Sequence, residues 1–248
     1  MLSNLYHETF SRQSLLKEIG VHRQEKIASY RFLVIGAGGL GCPAILYLSA
    51  AGATHITVAD ADEVSRSNLG RQILHTERQL NNNKAQSVQK FMQKNHPLCS
   101  IHSIPNMLAG ARLLERVAQH DLVLDCTDNL KSRLRISDAC YQTHTPLIFG
   151  SAIRFSGQVG LFTMQSHTPC LRCLFEEDEA SNDVKAAQVG VFSPMTGLIG
   201  TLMACEAAKL ATGIPSTIRN QLLCIDQLRG DFRTIKLKVN PHCIHQHH

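Results

Sequence analysis

The sequence predicts an α/β fold built around a doubly wound sheet, and three observations support this prediction. An apolar stretch, Arg31 to Gly36, runs into a glycine-rich turn and then into a helical pattern. Further apolar stretches alternate with helical patterns, which is typical of parallel strands joined by helices; they lie at 54–60, 99–104 and 121–125. In the second half, strand patterns follow one another around turns, which favours antiparallel pairing. We therefore expect a Rossmann-like mixed sheet, parallel first and antiparallel later, in a single domain covering 1–248.

The individual elements follow from these patterns in chain order. A helical arm with sparse apolar positions covers about 1–29. The parallel half predicts strands at 31–36, 54–60, 99–104 and 121–125, with helices at 43–51, 83–95, 109–118 and 130–143. The later half predicts a strand at 146–150, a strand pair over about 152–165 that turns at Ser156-Gly157, a helix over 193–212, and strands near 219–225 and 232–239. Ser193 is the expected N-cap of the last helix, and Gly52 and Gly213 are expected to end helices.

Composition is that of a globular protein without a membrane span. The chain is 44% hydrophobic and 18% charged, and no apolar run reaches the roughly 20 residues that cross a bilayer. The net charge of +5 comes without the basic run or aromatic ladder that would indicate nucleic-acid binding. Nine cysteines without a secretory signal favour a reducing, cytoplasmic compartment. Six of them are expected to be small buried thiols: Cys42, Cys99, Cys126, Cys140, Cys205 and Cys224.

The glycine-rich turn matches the pattern G-x-G-x-x-G through Gly36, Gly38 and Gly41, with Gly39 between them. Glycine permits a positive φ and lets a phosphate approach the backbone, and the following helix directs its free N–H groups at that phosphate. Glycine turns also occur for packing alone, so the context decides. Asp60 ends the next strand about 20 residues on, where a ribose hydroxyl is bound in dinucleotide folds. The sequence therefore predicts a nucleotide site.

A polar loop follows Asp60 and supplies two amides and two cations, which are Asn68, Gln72, Arg71 and, at the start of the next helix, Lys84. Cations beside a phosphate suit a reaction that builds charge on phosphorus. On spacing alone, a charged loop that is simply exposed to solvent is as good an interpretation as a phosphate-binding loop.

Asp128 follows the apolar strand 121–125 and has two possible roles. A carboxylate at a strand end beside a triphosphate is a candidate Mg²⁺ ligand. The alternative is an N-cap for the helix that begins at Leu130. The residues alone favour the cap.

Taken together, these motifs resemble the ubiquitin-activating-enzyme-like superfamily, and within it the MoeB/ThiF/HesA branch. The resemblance covers residues 8 to 243. It is carried by Gly36-x-Gly38-Gly39-x-Gly41, Asp60-x-Asp62, Ser67-Asn68-Leu69-x-Arg71-Gln72, Lys84 and Asp125-Cys126-Thr127-Asp128-Asn129. Enzymes of this branch use ATP and Mg²⁺ to adenylate the C-terminal glycine of a ubiquitin-like sulfur-carrier protein that ends in Gly-Gly. The resemblance thus implies a homodimeric sulfur-carrier adenylyltransferase, of the molybdopterin or thiamine pathway, that releases pyrophosphate.

The resemblance also implies a role for each matching residue. The turn around Gly39 would hold the phosphates, and the ribose side of the site would be formed by Asp60 and Asp62. The triphosphate would be bound, and the charge on leaving pyrophosphate offset, by Asn68, Arg71, Gln72 and Lys84. Asp128 would bind Mg²⁺, Asn129 would shape the pocket, and Arg12 would reach into the partner subunit's site. The carrier's carboxylate is ionised at neutral pH, so its attack on the α-phosphate needs no general base.

A second feature is the pair Cys170-x-x-Cys173, whose spacing is that of a zinc knuckle. The family completes this site with a second C-x-x-C near the C-terminus. Here Cys243 is present, but Gln246 stands where the last cysteine is expected. His245 or His247 would complete a Cys₃His zinc site in a metal-stapled corner around 170–173 and 243–248. The alternative is that the site has been lost.

Several family members carry a cysteine just before the segment 190–194 that links covalently to the carrier, whereas 176–192 contains none here. This argues against a covalent step in that segment, and it favours the molybdopterin type. The acidic run Glu176–Glu179 is expected to be a solvated stretch of a mobile loop that covers the bound carrier tail. Three other functions stay open: an NAD-dependent oxidoreductase, which the polar loop and Asp128 disfavour; a non-catalytic binding module; and a relative that adenylates a peptide or a tRNA base. The sequence does not identify the carrier.

Overall fold

The structure, a computed structural model, describes residues 2–175 and 189–245 and is built on one eight-stranded sheet. The strands are β1 (Arg31–Ile35), β2 (His55–Ala59), β3 (Ser100–Ile104), β4 (Leu122–Asp125), β5 (Leu147–Ile153), β6 (Ser156–Phe162), β7 (Gln221–Asp226) and β8 (Asp231–Lys236). Their spatial order is β3-β2-β1-β4-β5-β6-β7-β8.

The direction of strand pairing changes half-way across the sheet. The first five strands pair in parallel, and β5 to β8 pair antiparallel in sequence order. This confirms the predicted mixed, doubly wound α/β sheet. The strand order reverses between β1 and β4, and such a reversal opens a crevice at the carboxyl ends of the strands where ligands bind in α/β folds.

Helices cover both faces of the sheet. They are α1 (Asn4–Thr9), α2 (Ser11–Ser14), α3 (Gly20–Ser29), α4 (Gly41–Ala50), α5 (Lys84–Asn95), α6 (Gly110–Ala118), α7 (Leu130–Thr143) and α8 (Ser193–Thr212). One core lies under α4, α5 and α8 and includes Ile45, Val88 and Met203. The other lies under α6 and α7 and includes Leu113 and Leu134. Each face of the central strands is therefore apolar, which explains their uninterrupted hydrophobic stretches.

The prediction of a separate strand pair turning at Ser156-Gly157 is wrong. β5 continues to Ile153, which pairs with Ser156, so the turn is Arg154-Phe155. Arg154 adopts a positive φ of 52° there. Gly157 lies inside β6 because α8 packs closely on it: an added Cβ would lie 2.8 Å from the Met195 side chain.

The ends of three other elements also differ from the sequence prediction. α8 begins at Ser193, but its N-cap is Phe192 and Ser193 does not cap it. The helix after the glycine turn begins at Gly41, two residues earlier than predicted. β8 ends at Lys236, before residue 239. Gly52 and Gly213 have positive φ just beyond the ends of α4 and α8, as expected of residues that end helices.

Four of the six cysteines expected to be buried are buried, whereas Cys205 is exposed and Cys224 is half-buried. Cys205 lies on α8 in the lining of a surface groove, and Cys224 lies on β7, next to the last strand of the sheet. Across the described ranges, no helix combines the length and apolarity needed to cross a bilayer. The acidic run Glu176–Glu179, most of the cysteine-free segment 176–192, and residues Gln246 and His247 lie outside the described residues.

Candidate active site and metal corner

The glycine turn is folded tightly against the end of β4. Gly36 has a φ of 100°, and a Cβ there would lie 2.7 Å from the Cys126 carbonyl oxygen. A Cβ at Gly41 would collide with the carbonyl oxygen of Gly36. Gly38 differs, since its nearest neighbour would be the Gln72 amide nitrogen at 3.6 Å. Gly36 and Gly41 are thus required by packing, while Gly38 leaves the backbone open to a ligand.

Asp60 anchors this turn from the end of β2. Its Oδ2 accepts a hydrogen bond from the Ala37 amide at 2.7 Å, and its Oδ1 accepts one from the Asp62 amide at 2.8 Å. Burial raises the pKa of the Asp60 carboxyl, and these two hydrogen bonds oppose that rise. The side chain therefore fixes the turn relative to β2, in addition to the ribose role predicted for it.

Lys84 is held at the same edge of the sheet. Its Nζ lies 2.9 Å from the Asp62 Oδ2, and the lysine side chain is 10% exposed while that of Asp62 is 73% exposed. Asn83 caps α5 through the Gln86 amide, and its own amide donates to the Asp60 carbonyl. These contacts hold the start of α5, and with it the Lys84 ammonium group, beside the end of β2.

The polar loop presents Gln72 to the glycine turn. Gln72 is buried, and its Oε1 has no hydrogen-bond partner among the described residues. Asn68 is also buried, and its Oδ1 accepts from the Ser65 amide in a short 3₁₀ turn. Arg71 is half-buried and donates from Nη1 to the Ser67 carbonyl at 3.0 Å. The Gln72 side-chain amide thus lies beside the open backbone of Gly38 with hydrogen-bonding capacity left for a ligand.

At the end of β4, Asn129 rather than Asp128 caps the following helix. The Asn129 Oδ1 accepts from the Ser132 amide at 2.9 Å, so the capping role favoured for Asp128 is wrong. Because the backbone enters the helix one residue later, the carboxylate of Asp128 is exposed at the strand end. Behind it, Asp125 is fully buried and accepts from the amide and hydroxyl of Thr127.

The metal corner brings together residues that are far apart in the sequence. Sγ of Cys170 lies 3.7 Å from Sγ of Cys243, 4.0 Å from Sγ of Cys173 and 3.3 Å from Nδ1 of His245. Zn–S bonds of about 2.3 Å in a tetrahedron separate two sulfurs by about 3.8 Å. Ligand atoms of Cys170, Cys243 and His245 all lie within 4.8 Å of one another, which makes this corner a possible Cys/His metal site, with Cys173 next to Cys170.

The ring of His245 is oriented by its neighbours. Its Nε2 lies 3.2 Å from the Asp138 Oδ1, which turns Nδ1 toward the sulfurs. Arg172 binds both oxygens of Asp138, at 3.0 and 2.7 Å. The ring stacks on Tyr141 with centroids 4.2 Å apart. A carboxylate on the far nitrogen is a typical outer partner of a metal-binding histidine.

Comparison with known proteins agrees with this geometry. The profile of the ThiF family matches residues 10–244. The chain belongs to the ThiF family. The molybdopterin-synthase adenylyltransferase of Escherichia coli (strain K12) is 37% identical over 234 residues, which is 94% of each chain. The sulfur carrier protein adenylyltransferase of Thermus thermophilus is 36% identical over 241 residues, 95% of this chain and 89% of that one.

A crystal structure of Escherichia coli MccB with ATP shares the fold, with a TM-score of 0.83 and 20% identity. That match covers 99% of this ThiF-family chain and 76% of the MccB chain. The comparisons confirm the branch inferred from the glycine turn, the polar loop and the strand-end aspartates.

Arg12 lies apart from the residues that this ThiF-family chain gathers around the glycine turn. Its neighbour Gln13 donates to the Ala51 carbonyl at 3.1 Å, just beyond the end of α4. The glycine turn is at the other end of α4, ten residues away, a distance of about 15 Å along a helix. α2, which carries Arg12, therefore packs at the end of α4 opposite the glycine turn of its own chain.

A groove of about 300 Å³ runs between the helical arm and α8, and its lining includes Gln13, Ile19, Tyr47, Cys205 and Lys209. Tyr47 of this lining is 51% exposed, and Leu15 and Val21 of the helical arm are 74% and 55% exposed. Large exposed apolar side chains of this kind are typical of protein–protein contacts.

His75 is one buried residue of the polar loop that the sequence analysis missed. Its ring nitrogens lie 3.0 Å from the Ala37 carbonyl oxygen and 2.8 Å from the Ser87 Oγ. A histidine in a charged loop carries no signal of burial, although its neighbour Leu74 is also buried.

Proposed function

We propose that this ThiF-family protein is an adenylyltransferase that uses ATP to activate the C-terminal glycine of a small sulfur-carrier protein. The observation that supports this most directly is the gathering of Lys84, Gln72 and Asp128 around a glycine turn at the carboxyl ends of β1, β2 and β4. The names of the two adenylyltransferase relatives supply the reaction class and the acceptor.

In this proposal the ATP phosphates lie along the turn at Gly38 and Gly39, where free amides of α4 point at them. Asp60 and Asp62 lie on the ribose side. Asn68, Arg71, Gln72 and Lys84 surround the triphosphate. Mg²⁺ would be held by Asp128, with Asn129 beside it, and would neutralise phosphate charge when bound.

The reaction then needs positioning and charge stabilisation more than proton transfer. The carrier's terminal carboxylate attacks the α-phosphorus, an acyl–oxygen–phosphorus bond forms, and the bond to the β-phosphate oxygen breaks. Pyrophosphate leaves with the electron pair. Arg71 and Lys84 offset the negative charge that develops on it. The carboxylate is already ionised, so no side chain of the chain has to remove a proton.

An open part of the sheet beside the site is our proposed carrier surface. On one face of the sheet, side chains of β5, β7 and β8 are only partly covered by other elements. They include Ile153, Cys224, Arg233 and Ile235. Ile153 is 40% and Ile235 43% exposed. A globular carrier bound there would extend its C-terminal tail along the sheet toward the glycine turn.

ATP–pyrophosphate exchange tests the proposed function. Purified chain, ATP and Mg²⁺ should exchange labelled pyrophosphate only when a carrier ending in Gly-Gly is added. The panel should contain molybdopterin-type and thiamine-type carriers, each with a matched version lacking the last glycine, and a short peptide. Exchange with no carrier, or with the peptide alone, would contradict a sulfur-carrier substrate, and hydride transfer from NADH would point to an oxidoreductase.

We also propose that the corner of Cys170, Cys173, Cys243 and His245 holds a structural zinc ion. The support is the donor set itself: ligand atoms of Cys170, Cys243 and His245 lie within 4.8 Å of one another, and Sγ of Cys173 lies 4.0 Å from Sγ of Cys170. Zinc would supply no chemistry to adenylation and would tie the C-terminal segment to the turn at Leu171–Cys173. Thiol ligands persist in a reducing compartment such as the cytoplasm, where we place the protein.

We propose further that the chain works as a homodimer in which the helical arm and the groove beside α8 contact a second copy. The exposed Leu15, Val21 and Tyr47 give this surface its apolar character. Arg12 lies next to it on α2 and would be carried across the contact toward the partner's nucleotide site. This explains why Arg12 is remote from the glycine turn of its own chain.

Mixed chains test the shared site. Arg12→Ala and Arg71→Ala variants should each be inactive alone. In a mixed dimer, one of the two sites would contain both wild-type arginines. Random mixing should therefore restore about a quarter of wild-type exchange. Verified mixed dimers that remain inactive would contradict the proposed role of Arg12 across the interface.

A further inference from the structure

His75 lies between the glycine turn and the helix that carries Lys84. It is 5% exposed, and its ring connects the Ala37 carbonyl on one side with the Ser87 hydroxyl of α5 on the other. Ser87 is completely buried, and its own carbonyl accepts from the Gln79 amide at 2.9 Å. The contact is thus an internal one that solvent does not replace.

The chemistry of the two partners fixes the tautomer of His75. A carbonyl oxygen only accepts, so Nε2 must carry the proton that is donated to Ala37. Nδ1 then accepts a hydrogen bond from the hydroxyl of Ser87. Burial lowers the pKa of His75, which keeps the imidazole neutral near pH 7.

Both polar groups of the Ala37 backbone are therefore held by side chains. Its N–H donates to the Asp60 Oδ2 at 2.7 Å, and its carbonyl accepts from His75 at 3.0 Å. The thiol of Cys42 contributes a weaker, longer contact of 3.4 Å to the same carbonyl. Ala37 lies between Gly36 and Gly38, so these bonds set the position of the whole turn.

The backbone of His75 adds a third connection, because its amide donates to the Gln72 carbonyl at 3.1 Å. Gln72 is the last residue of the predicted triphosphate set in the polar loop. One residue thus joins the glycine turn, the polar loop and α5, which are the three segments that would surround a triphosphate.

We infer that His75 is a positioning residue for the nucleotide, because its Nε2–H group and its backbone fix the glycine turn relative to Arg71 and Lys84. This inference rests on the proposed ATP site. His75 would not touch ATP itself. Its loss would let the Ala37 peptide move, and the amides at Gly38 and Gly39 would meet the phosphates less well.

Two substitutions separate this role from general stability. In His75→Gln, the amide nitrogen occupies roughly the place of Nε2 and can still donate to Ala37. In His75→Asn, the shorter side chain reaches only the Ser87 side. The KM for ATP should rise about tenfold in His75→Asn, as expected for a lost buried hydrogen bond, and less than about threefold in His75→Gln. The kcat should change less than KM in both variants.

His120 offers a matched control. It is a half-buried histidine that bridges a backbone carbonyl, that of Arg116, and a hydroxyl, that of Thr57, at 2.6 and 2.8 Å. It precedes β4 and so lies near the amino ends of the parallel strands, whereas the glycine turn lies at their carboxyl ends. His120→Gln and His120→Asn should lower the melting temperature as the His75 variants do, with the KM for ATP unchanged.

Hydrogen–deuterium exchange gives a readout that needs no activity. The peptide containing residues 36–41 should exchange faster in His75→Asn than in wild type and His75→Gln, without ATP. Equal exchange and equal KM in the folded Asn and Gln variants would overturn the inference. A wild-type chain that shows no pyrophosphate exchange with any carrier would instead contradict the proposed function, while the exchange of residues 36–41 still tests the role of His75.

Discussion

Replacing Arg71 with alanine is expected to lower carrier-dependent ATP–pyrophosphate exchange by at least about 100-fold, the usual effect of removing a group that stabilises transition-state charge. Arg71 is half-buried and its guanidinium donates to the Ser67 carbonyl, which leaves further N–H donors for phosphate oxygens. The fold should persist, because the change removes a partly exposed side chain and costs about 1 kcal/mol or less.

Arg66→Ala is the matched control for Arg71→Ala. Arg66 lies in the same polar loop, is 72% exposed and pairs with Glu77 at 2.6 Å. Exposed ion pairs contribute little, so this variant should keep both its exchange activity and its melting temperature. Near-normal exchange in folded Arg71→Ala, or an equal loss in Arg66→Ala, would show that Arg71 has no special role.

Replacing Cys170 with serine is expected to reduce the zinc content from about one ion per chain to nearly none. Cys170 is the sulfur that lies nearest to the other donors of the corner, and it is fully buried. Loss of a structural metal removes several kcal/mol of folding free energy. The melting temperature should therefore fall by about 10 °C or more, as measured by calorimetry beside elemental analysis.

Two further cysteine variants sharpen this test. Cys224→Ser alters a half-buried thiol of β7 outside the corner and should leave the zinc content unchanged. His245→Cys should retain zinc by restoring four thiolates, whereas His245→Gln should lose it. A stable, metal-free wild-type chain would rule out the structural zinc.

The central sheet was predictable because its strands are buried on both faces. Their sequences are short, uninterrupted apolar runs, such as Phe32–Ile35 and Leu122–Leu124. Such runs can be assigned to strands rather than helices because they are short and have turn residues on both sides. The meeting of Asp60 and Asp128 at one edge of the sheet was predictable for a related reason. Asp60 and Asp128 each follow such a strand, and strand ends in an α/β sheet meet on one side.

The turn between β5 and β6 could not be read from the local sequence. Ser156-Gly157 has the composition of a turn, but Gly157 is required where α8 approaches the sheet. The actual turn uses Arg154 with a positive φ, a conformation that sequence patterns assign to glycine or asparagine. Which of Asp128 and Asn129 caps α7 was equally undetermined, because both residue types cap helices well.

Long-range partners were the other part beyond prediction. The spacing Cys170-x-x-Cys173 indicates half of a candidate metal site, but the position of His245 beside it depends on Asp138 of α7, whose Oδ1 lies 3.2 Å from Nε2 of the ring. Likewise, the role of His75 depends on Ala37, 38 residues earlier in the chain. Side chains that act on distant backbone atoms leave no periodic signal in the sequence.

The metal corner also has a consequence for how the chain unfolds. Cys170 and Cys243 are 73 residues apart, and α8, β7 and β8 all lie between them. With zinc bound, that stretch becomes a closed loop, and closing a loop of this length in the unfolded chain corresponds to about 4 kcal/mol of lost conformational entropy. A zinc ion bound there would therefore hold residues 170 and 243 together, and β7 and β8 would separate from the sheet less readily during unfolding.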